Sequence, residues 1–231
     1  MRIKLLSGGA ATGVVRTLAE RFRASSGHEI DATFSAVGAM RDQLLSGDPA
    51  DLVILSRKVI DELAATGHIE SASRADLGAV RTGVAVRAGD GLPDISGAET
   101  LRASLLAAPG IYFPDPQRAT AGIHFAGVLG KLGIAHELSA RLRTFPNGTA
   151  AMQALAGATE AGSLGCTQIT EIKRNSGVRL VGPLPAAFEL ATVYTAGVCT
   201  RAAAPDAARQ FVALLTGDES RAVRTEAGFE P

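Results

Sequence analysis

Tryptophan is absent from this 231-residue chain, and aromatic residues make up only 4% of it. Base-stacking platforms and carbohydrate-stacking sites both need aromatic faces, so neither is expected. Charge of one sign is also missing, because 23 basic residues balance 23 acidic ones. With no net charge and no basic stripe, nucleic acid is not expected as a partner. No run of about 18 apolar residues occurs, so no membrane insertion is expected. Cysteine is scarce: Cys166 and Cys199 are the only two. Each lies in an apolar stretch without Cys-x-x-Cys or His-rich spacing, which argues for buried thiols rather than metal or redox work. A disulfide between them stays open at this point. Nor does Met1-Arg2 lead into an apolar segment of about 7–15 residues with a small-residue cleavage site. The expected location is cytoplasmic as the chain stands, and periplasmic had a leader been removed.

Apolar residues, by contrast, are plentiful at 46%, with 20% charged, so a folded core is expected. Short β-branched runs alternate with helical patterns from end to end. Ile3–Leu6 reads as a strand, and Val14, Val15, Leu18 and Phe22 recur at helical spacing within 13–25. Strand 29–34, helix 38–45, strand 51–55 and helix 58–66 follow, with Gly27, Gly47 and Gly67 as stops. That order predicts an α/β protein with a parallel, right-handed sheet. The alternating stretch 79–87 leads into a Gly-, Asp- and Pro-rich loop. A second series follows: helix 98–107, strand 110–113, helix 122–132, strand 141–145, helix 149–156, strand 163–166, a short helix near 170–175 and strand 178–181. Pro183-Leu184-Pro185 breaks the chain; 191–199 reads as a returning strand, and 205–215 and 219–227 as closing helices. The domain plan is therefore one lobe from 1–80 with 195–231 returning to it, a second from 81–194, and a ligand cleft between them.

Ligands of such sheets lie beyond the carboxyl ends of the strands. Four strand-to-helix junctions are small and rich in backbone donors: Ser7–Thr12, Ser35–Ala39, Pro114–Gly122 and Cys166–Gln168. Helix starts present unpaired N–H groups and a positive dipole end, so several together suit a small anion. The candidate ligand-binding residues are Gly8, Gly9, Ala10, Ala11, Ser35, Ala36, Val37, Ser56, Arg118, Ala121, Gly122, Thr167 and Gln168. Arg118 adds a planar fork that matches a carboxylate, whereas Arg41 is expected to face solvent or to pair with Asp42 or Asp48.

Four segments, IKLLSGGAATGVVRTLAERF, FSAVGAMRDQLLSGDPADLVILS, DPQRATAGIHFAGVLGKLGI and GSLGCTQITEI, carry a family likeness. Across nearly its whole length the chain resembles the bacterial molybdate-binding proteins, type II periplasmic solute-binding proteins that serve ABC importers. The resemblance implies the two-lobed type II periplasmic-binding-protein fold, each lobe a mainly parallel sheet flanked by helices. It also implies solute binding, with an ABC importer as partner were the chain exported. Family members grip a tetrahedral oxyanion with serine hydroxyls at the first two junctions and a tyrosine after a later strand. Here those positions hold Ala10, Val37 and Gln168. Each uncompensated hydrogen bond lost costs about 1–3 kcal/mol, so a carboxylate is expected ahead of molybdate. Ser7, Ser35, Ser56, Thr120 and Thr167 offer other hydroxyls.

Relatives of that family include aconitate isomerases, which keeps an enzyme in view. Such a reaction needs a base for an allylic proton and donors for the carboxylates. His124, Glu171 and Asp115 are the candidate bases, with His124 and Glu171 foremost; His28, His68 and His136 are read as surface residues. No Ser-His-Asp order, P-loop, dinucleotide fingerprint or zinc spacing occurs, so no cofactor and no metal are expected.

Overall fold

The computed structural model describes every residue from Met1 to Pro231. In chain order the elements are β1 (Arg2–Gly8), a 3-10 turn at Gly9–Ala11, α1 (Thr12–Ser26), β2 (Glu29–Ser35), α2 (Val37–Leu45), β3 (Leu52–Ser56), α3 (Arg57–Ala65) and β4 (Ala75–Arg87). Next come α4 (Ala98–Ala107), β5 (Ile111–Pro114), α5 (Thr120–Lys131), β6 (Leu142–Phe145), α6 (Gly148–Ala156), β7 (Leu164–Gln168), α7 (Ile169–Lys173) and β8 (Val178–Pro183). The chain closes with β9 (Ala191–Val198), α8 (Pro205–Thr216) and α9 (Arg221–Ala227). These elements fall into two units, Met1–Val80 with Thr192–Pro231, and Arg81–Ala191. The passages between units lie within β4 and at the start of β9.

In the first unit the strand order is β2-β1-β3-β9. β1 runs parallel to β2 and β3, and β9 runs antiparallel to β3. β3 (LVIL) is buried along its whole apolar run, as a strand covered on both faces should be. The helical spacing read in α1 buries Val14, Val15, Leu18 and Phe22, and the Phe22 ring lies 5.0 Å from Phe211 of α8. Gly27 stops α1 at φ 72, a left-handed conformation that suits a residue without Cβ, and its N–H bonds to the Arg23 carbonyl.

One buried carboxylate ties this unit together. Asp51, just before β3, is 3% exposed. Its Oδ2 accepts the Lys4 N–H at 2.7 Å, and its Oδ1 accepts the Ala204 N–H at 2.9 Å. Ala204 is the N-cap of α8, so one side chain joins β1 to the start of a closing helix. Its own backbone accepts the Cys199 N–H and donates to Lys4 O.

The second unit has strand order β8-β4-β7-β5-β6. β5 is parallel to β6 and β7, while β4 pairs antiparallel with β7 and β8. Its core holds Phe113 against Phe125, edge to face at 5.3 Å, with Leu101, Leu105, Val128 and Leu164 around them.

Several boundaries differ from the expected ones, each for a local reason. β7 continues through Thr167 and Gln168, because both pair with β4, Gln168 lying opposite Thr82. That leaves α7 only five residues, starting at Ile169. β8 runs on to Pro183, since proline is tolerated at a strand end where no ladder donor is needed. β4 begins at Ala75, where the Ala79 N–H pairs with Glu230 O near the chain's end. The cysteines are buried free thiols, Cys166 on β7 and Cys199 just after β9, which closes the disulfide alternative. Burial pushes both thiols up, away from the reactive thiolate form.

Removing the Asp51 carboxylate takes the acceptor from a part-buried N–H at Lys4 and a buried one at Ala204. Asp51→Ala should cost about 2–4 kcal/mol of unfolding free energy. Urea unfolding followed by circular dichroism checks this; a loss under 1 kcal/mol would contradict the joining role.

Candidate anion-binding site

In the first unit the carboxyl ends of β1, β2 and β3 share one edge of the sheet. Gly8 pairs with Ser35, and Ser56 lies opposite Tyr194 of β9. A helical segment opens at each of these ends, with caps Gly8, Ala36 and Ser56 in extended or near-extended backbone. None of the three makes a side-chain capping bond. In α2 the first intrahelical donor is Met40, bonded to Ala36 O at 3.0 Å, which leaves the N–H groups of Val37, Gly38 and Ala39 without an intrahelical acceptor. Gly8, Gly9, Ala10, Ala11, Ser35, Ala36, Val37 and Ser56 are thus brought to one edge of this unit's sheet.

The side chains leave that surface largely apolar. Ala10, Ala36 and Val37 are buried at 3%, 5% and 6% exposure. A Cβ added to Gly8 would meet both the Tyr194 ring and a Val37 methyl at 3.1 Å, so those two side chains close over the turn. Ser7 is fully buried and donates its hydroxyl to Gly8 O at 3.0 Å, which spends it within the chain. Ser35 and Ser56 are half-buried. Beside them Arg57, the first residue of α3, pairs through two nitrogens with Asp76, whose Oδ1 also accepts the Thr195 hydroxyl at 2.6 Å. Arg57, Asp76 and Tyr194 escaped the sequence reading. Nothing local marked them, because their partners are 19 or more residues away. Arg41 pairs with Asp42 at 2.7 Å.

In the second unit β5, β6 and β7 likewise end at one edge, Pro114 opposite Phe145 and Tyr112 opposite Gly165. Here the helix starts are treated unequally. The α5 start is open: Ile123 is the first intrahelical donor, to Ala119 O, and no side chain caps it. Thr120, Ala121 and Gly122 precede that donor. A Cβ on Gly122 would lie 2.3 Å from the Asp115 and Pro114 carbonyls, so only glycine lets α5 approach its own entry loop. In that loop Asp115 Oδ1 accepts the Gln117 and Arg118 N–H groups, which orders the turn and leaves the Arg118 side chain exposed. Asp115 is therefore a loop-ordering residue. His124 donates Nε2–H to the Phe188 carbonyl at 2.7 Å; a carbonyl only accepts, so the neutral ring carries its lone pair on Nδ1.

The starts of α6 and α7 are closed by the chain itself. Asn147 Oδ1 accepts the Ala150 N–H at 2.9 Å. Glu171, 5% exposed, accepts the Thr167 hydroxyl at 2.6 Å and the backbone N–H groups of Thr149 and Gln168. A Cβ at Gly148 would stand 2.0 Å from Glu171 Oε2 and 2.1 Å from the Thr167 hydroxyl, so the carboxylate occupies a place that only glycine leaves free. The junction 146–149 was not among the four expected, although Pro146-Asn147-Gly148 is a legible helix-start signal. Thr167 and Gln168 thus reach a donor surface whose hydroxyl and N–H are already engaged.

Burial lifts the pKa of Glu171; the Thr167 hydroxyl, the Arg174 charge and the two N–H donors pull it back without cancelling the rise. A carboxyl whose folded pKa exceeds its unfolded one favours folding most at low pH. Stability should therefore fall as pH rises from the ordinary glutamate value through the raised folded value, and level off above it. Glu171→Gln, whose amide still accepts an N–H, should flatten that segment. Urea midpoints across an acid-to-neutral pH series check it, and an unchanged slope in the variant would contradict this assignment.

The comparisons with known proteins agree on the fold. The chain is 26% identical to an aconitate isomerase from a Pseudomonas species over 235 residues, covering 99% of this chain and 87% of that one. A periplasmic molybdate-binding protein from Azotobacter vinelandii superposes with a TM-score of 0.83 at 24% identity, over 99% of both chains. The sulfate-binding protein SubI from Mycobacterium tuberculosis H37Rv superposes with a TM-score of 0.79 at 17% identity, over all of this chain and 87% of that one. At such identities the solved structures establish the α/β periplasmic-binding-protein fold expected from the sequence, and the ligand is a separate question. The family profile described as bacterial extracellular solute-binding protein matches residues 3–230, and the chain belongs to that family.

Proposed function

We propose that the chain binds a small anion, a carboxylate in preference to molybdate, through backbone donors at strand-end junctions. The observation that carries this reading is the set of three helix starts in the first unit that no side chain caps. Buried donors left without an acceptor are costly, and an anion supplies one. In the second unit, taken by itself, the open donors are the Arg118 guanidinium and the N–H groups of Ala121 and Gly122. The preference for a carboxylate rests on Ala10 and Val37, which offer backbone donors but no hydroxyl to replace the hydration of a tetrahedral dianion. Two of the solved neighbours are named for binding molybdate and sulfate, and their likeness supports the anion reading.

A thermal-shift panel of carboxylates and oxyanions tests this, because a ligand of the folded state raises the melting temperature by mass action. Di- and tricarboxylates should stabilise the protein more than molybdate or tungstate. Arg118→Ala should weaken carboxylate binding by about 10–100-fold, the range of a charged hydrogen bond, and Arg118→Lys should recover only part of it. A submicromolar molybdate constant, or a silent Arg118→Ala, would contradict the reading.

A second reading is favoured by one observation, the likeness to aconitate isomerase. In it His124 removes an allylic proton from an unsaturated tricarboxylate and the proton returns at the other end of the allyl system, with no net redox change. The Phe188 carbonyl would hold the ring so that Nδ1 is the base. Proton NMR of trans-aconitate in deuterated water should then show isomer formation and exchange, both lost in His124→Ala. Unchanged substrate alongside measurable binding rejects catalysis and leaves a binding protein.

A further inference from the structure

We infer that Arg57 is a ligand-binding cation of the first unit, which Asp76 holds in the empty protein and which turns to a carboxylate of the bound ligand. The inference rests on the anion-binding reading above and adds a specificity-determining side chain to it. Arg57 opens α3 directly after its cap, Ser56. That start lies at the edge already described, because Ser56 stands opposite Tyr194 and the Tyr194 ring closes over the Gly8 turn. Arg57, Asp76, Tyr194 and Gly8 all belong to one unit.

The placement of charge is the sign that an anion belongs there. A helix start carries the positive end of the dipole and favours acids, yet the first turn of α3 holds none and begins Arg57-Lys58. Lys58 is exposed and makes no ion pair. Two cations at a start without a side-chain cap add to the positive end of the dipole and repel each other. That arrangement weakens the empty protein, and a multiply charged anion relieves it. It therefore agrees with a preference for di- and tricarboxylates.

Asp76 offsets one of the two charges and is itself fixed. Its Oδ1 accepts the hydroxyl of the buried Thr195 at 2.6 Å and Arg57 Nε–H at 3.3 Å, while its Oδ2 accepts from Arg57 Nη2. The Arg57 side chain is 53% exposed. The carboxylate is thus anchored to β9, whereas the guanidinium ends a flexible stem in solvent and is free to turn. A ligand carboxylate that takes the place of Asp76 keeps both bonds of the fork, and Asp76 retains Thr195 and gains water. A neutral ligand gains nothing from the exchange.

The test is calorimetric titration with tricarballylate, a saturated tricarboxylate with no allylic proton to lose, on wild type, Arg57→Gln, Asp76→Asn and the double variant. Arg57→Gln should weaken binding about tenfold, the size of one charge-assisted hydrogen bond, and Arg57→Lys should recover part of the loss. In Asp76→Asn the amide oxygen still accepts the Thr195 hydroxyl and the amide NH2 faces Arg57, which frees the guanidinium. Binding should then tighten about three- to fivefold, the worth of a well-formed exposed ion pair. In the Arg57→Gln background Asp76→Asn should bring no such gain, because Asp76 acts through Arg57. No gain in either background, or an equal gain in both, overturns the exchange. Unchanged affinity in Arg57→Gln overturns the role of Arg57 and leaves anion binding in place. If none of the proteins binds tricarballylate, the inference falls, and the carboxylate panel decides whether the anion reading falls with it.

Discussion

A backbone N–H that loses water and finds no acceptor is among the costlier features a fold can carry, and every α-helix begins with several. In this chain the α/β order places those beginnings at the carboxyl ends of parallel strands, three at one edge of each unit's sheet. How each group of donors is satisfied decides most of what is distinctive here. In the first unit the caps Gly8, Ala36 and Ser56 leave them open. In the second unit Asn147 and Glu171 close two helix starts, and only that of α5 stays open.

The two buried carboxylates show the same device put to different uses. Asp51 accepts from Lys4 and Ala204, at the edge where β3 begins, away from the strand ends that bear the open donors. There it joins the first strand to the returning part of the chain, and its worth is measured in stability. Glu171 sits at the edge where the open donors lie. It satisfies Thr149, Thr167 and Gln168 and so closes two helix starts. Each carboxylate builds its own unit, one by joining distant parts of the chain and the other by closing two helix starts.

The periodic pattern made the elements legible, because burial of Val14, Leu18 and Phe22 on one helix face and of Leu52–Leu55 along a covered strand leaves a direct mark in residue order. Helix 98–107 was placed to the residue. The small residues at strand ends were legible for the same reason: a turn before a helix start restricts side-chain size locally. What residue order did not reveal is long-range pairing. The contacts of Tyr194 with Gly8, of Arg57 with Asp76 and of Asp51 with Ala204 join positions far apart in the chain. β7 reached Gln168 because a partner strand was there to pair with, and no propensity of Thr or Gln announces that. Glu171 read as a routine first-turn acid, and its part in closing α6 depends on Gly148, 23 positions before it in the numbering.

Specificity is a difference of affinities, and it can be set by what a site refuses as well as by what it offers. On the proposed reading, Ala10 and Val37 offer backbone donors without a hydroxyl, and the helix-start donors of α2 remain. On that reading a tetrahedral dianion is held less well than a planar carboxylate, which needs fewer donors on each oxygen. Tyr194 and Val37 closing over Gly8 narrow the apolar side of the same surface. A missing donor and a steric limit thus push the proposed preference one way, and neither disturbs the strand order on which the fold depends.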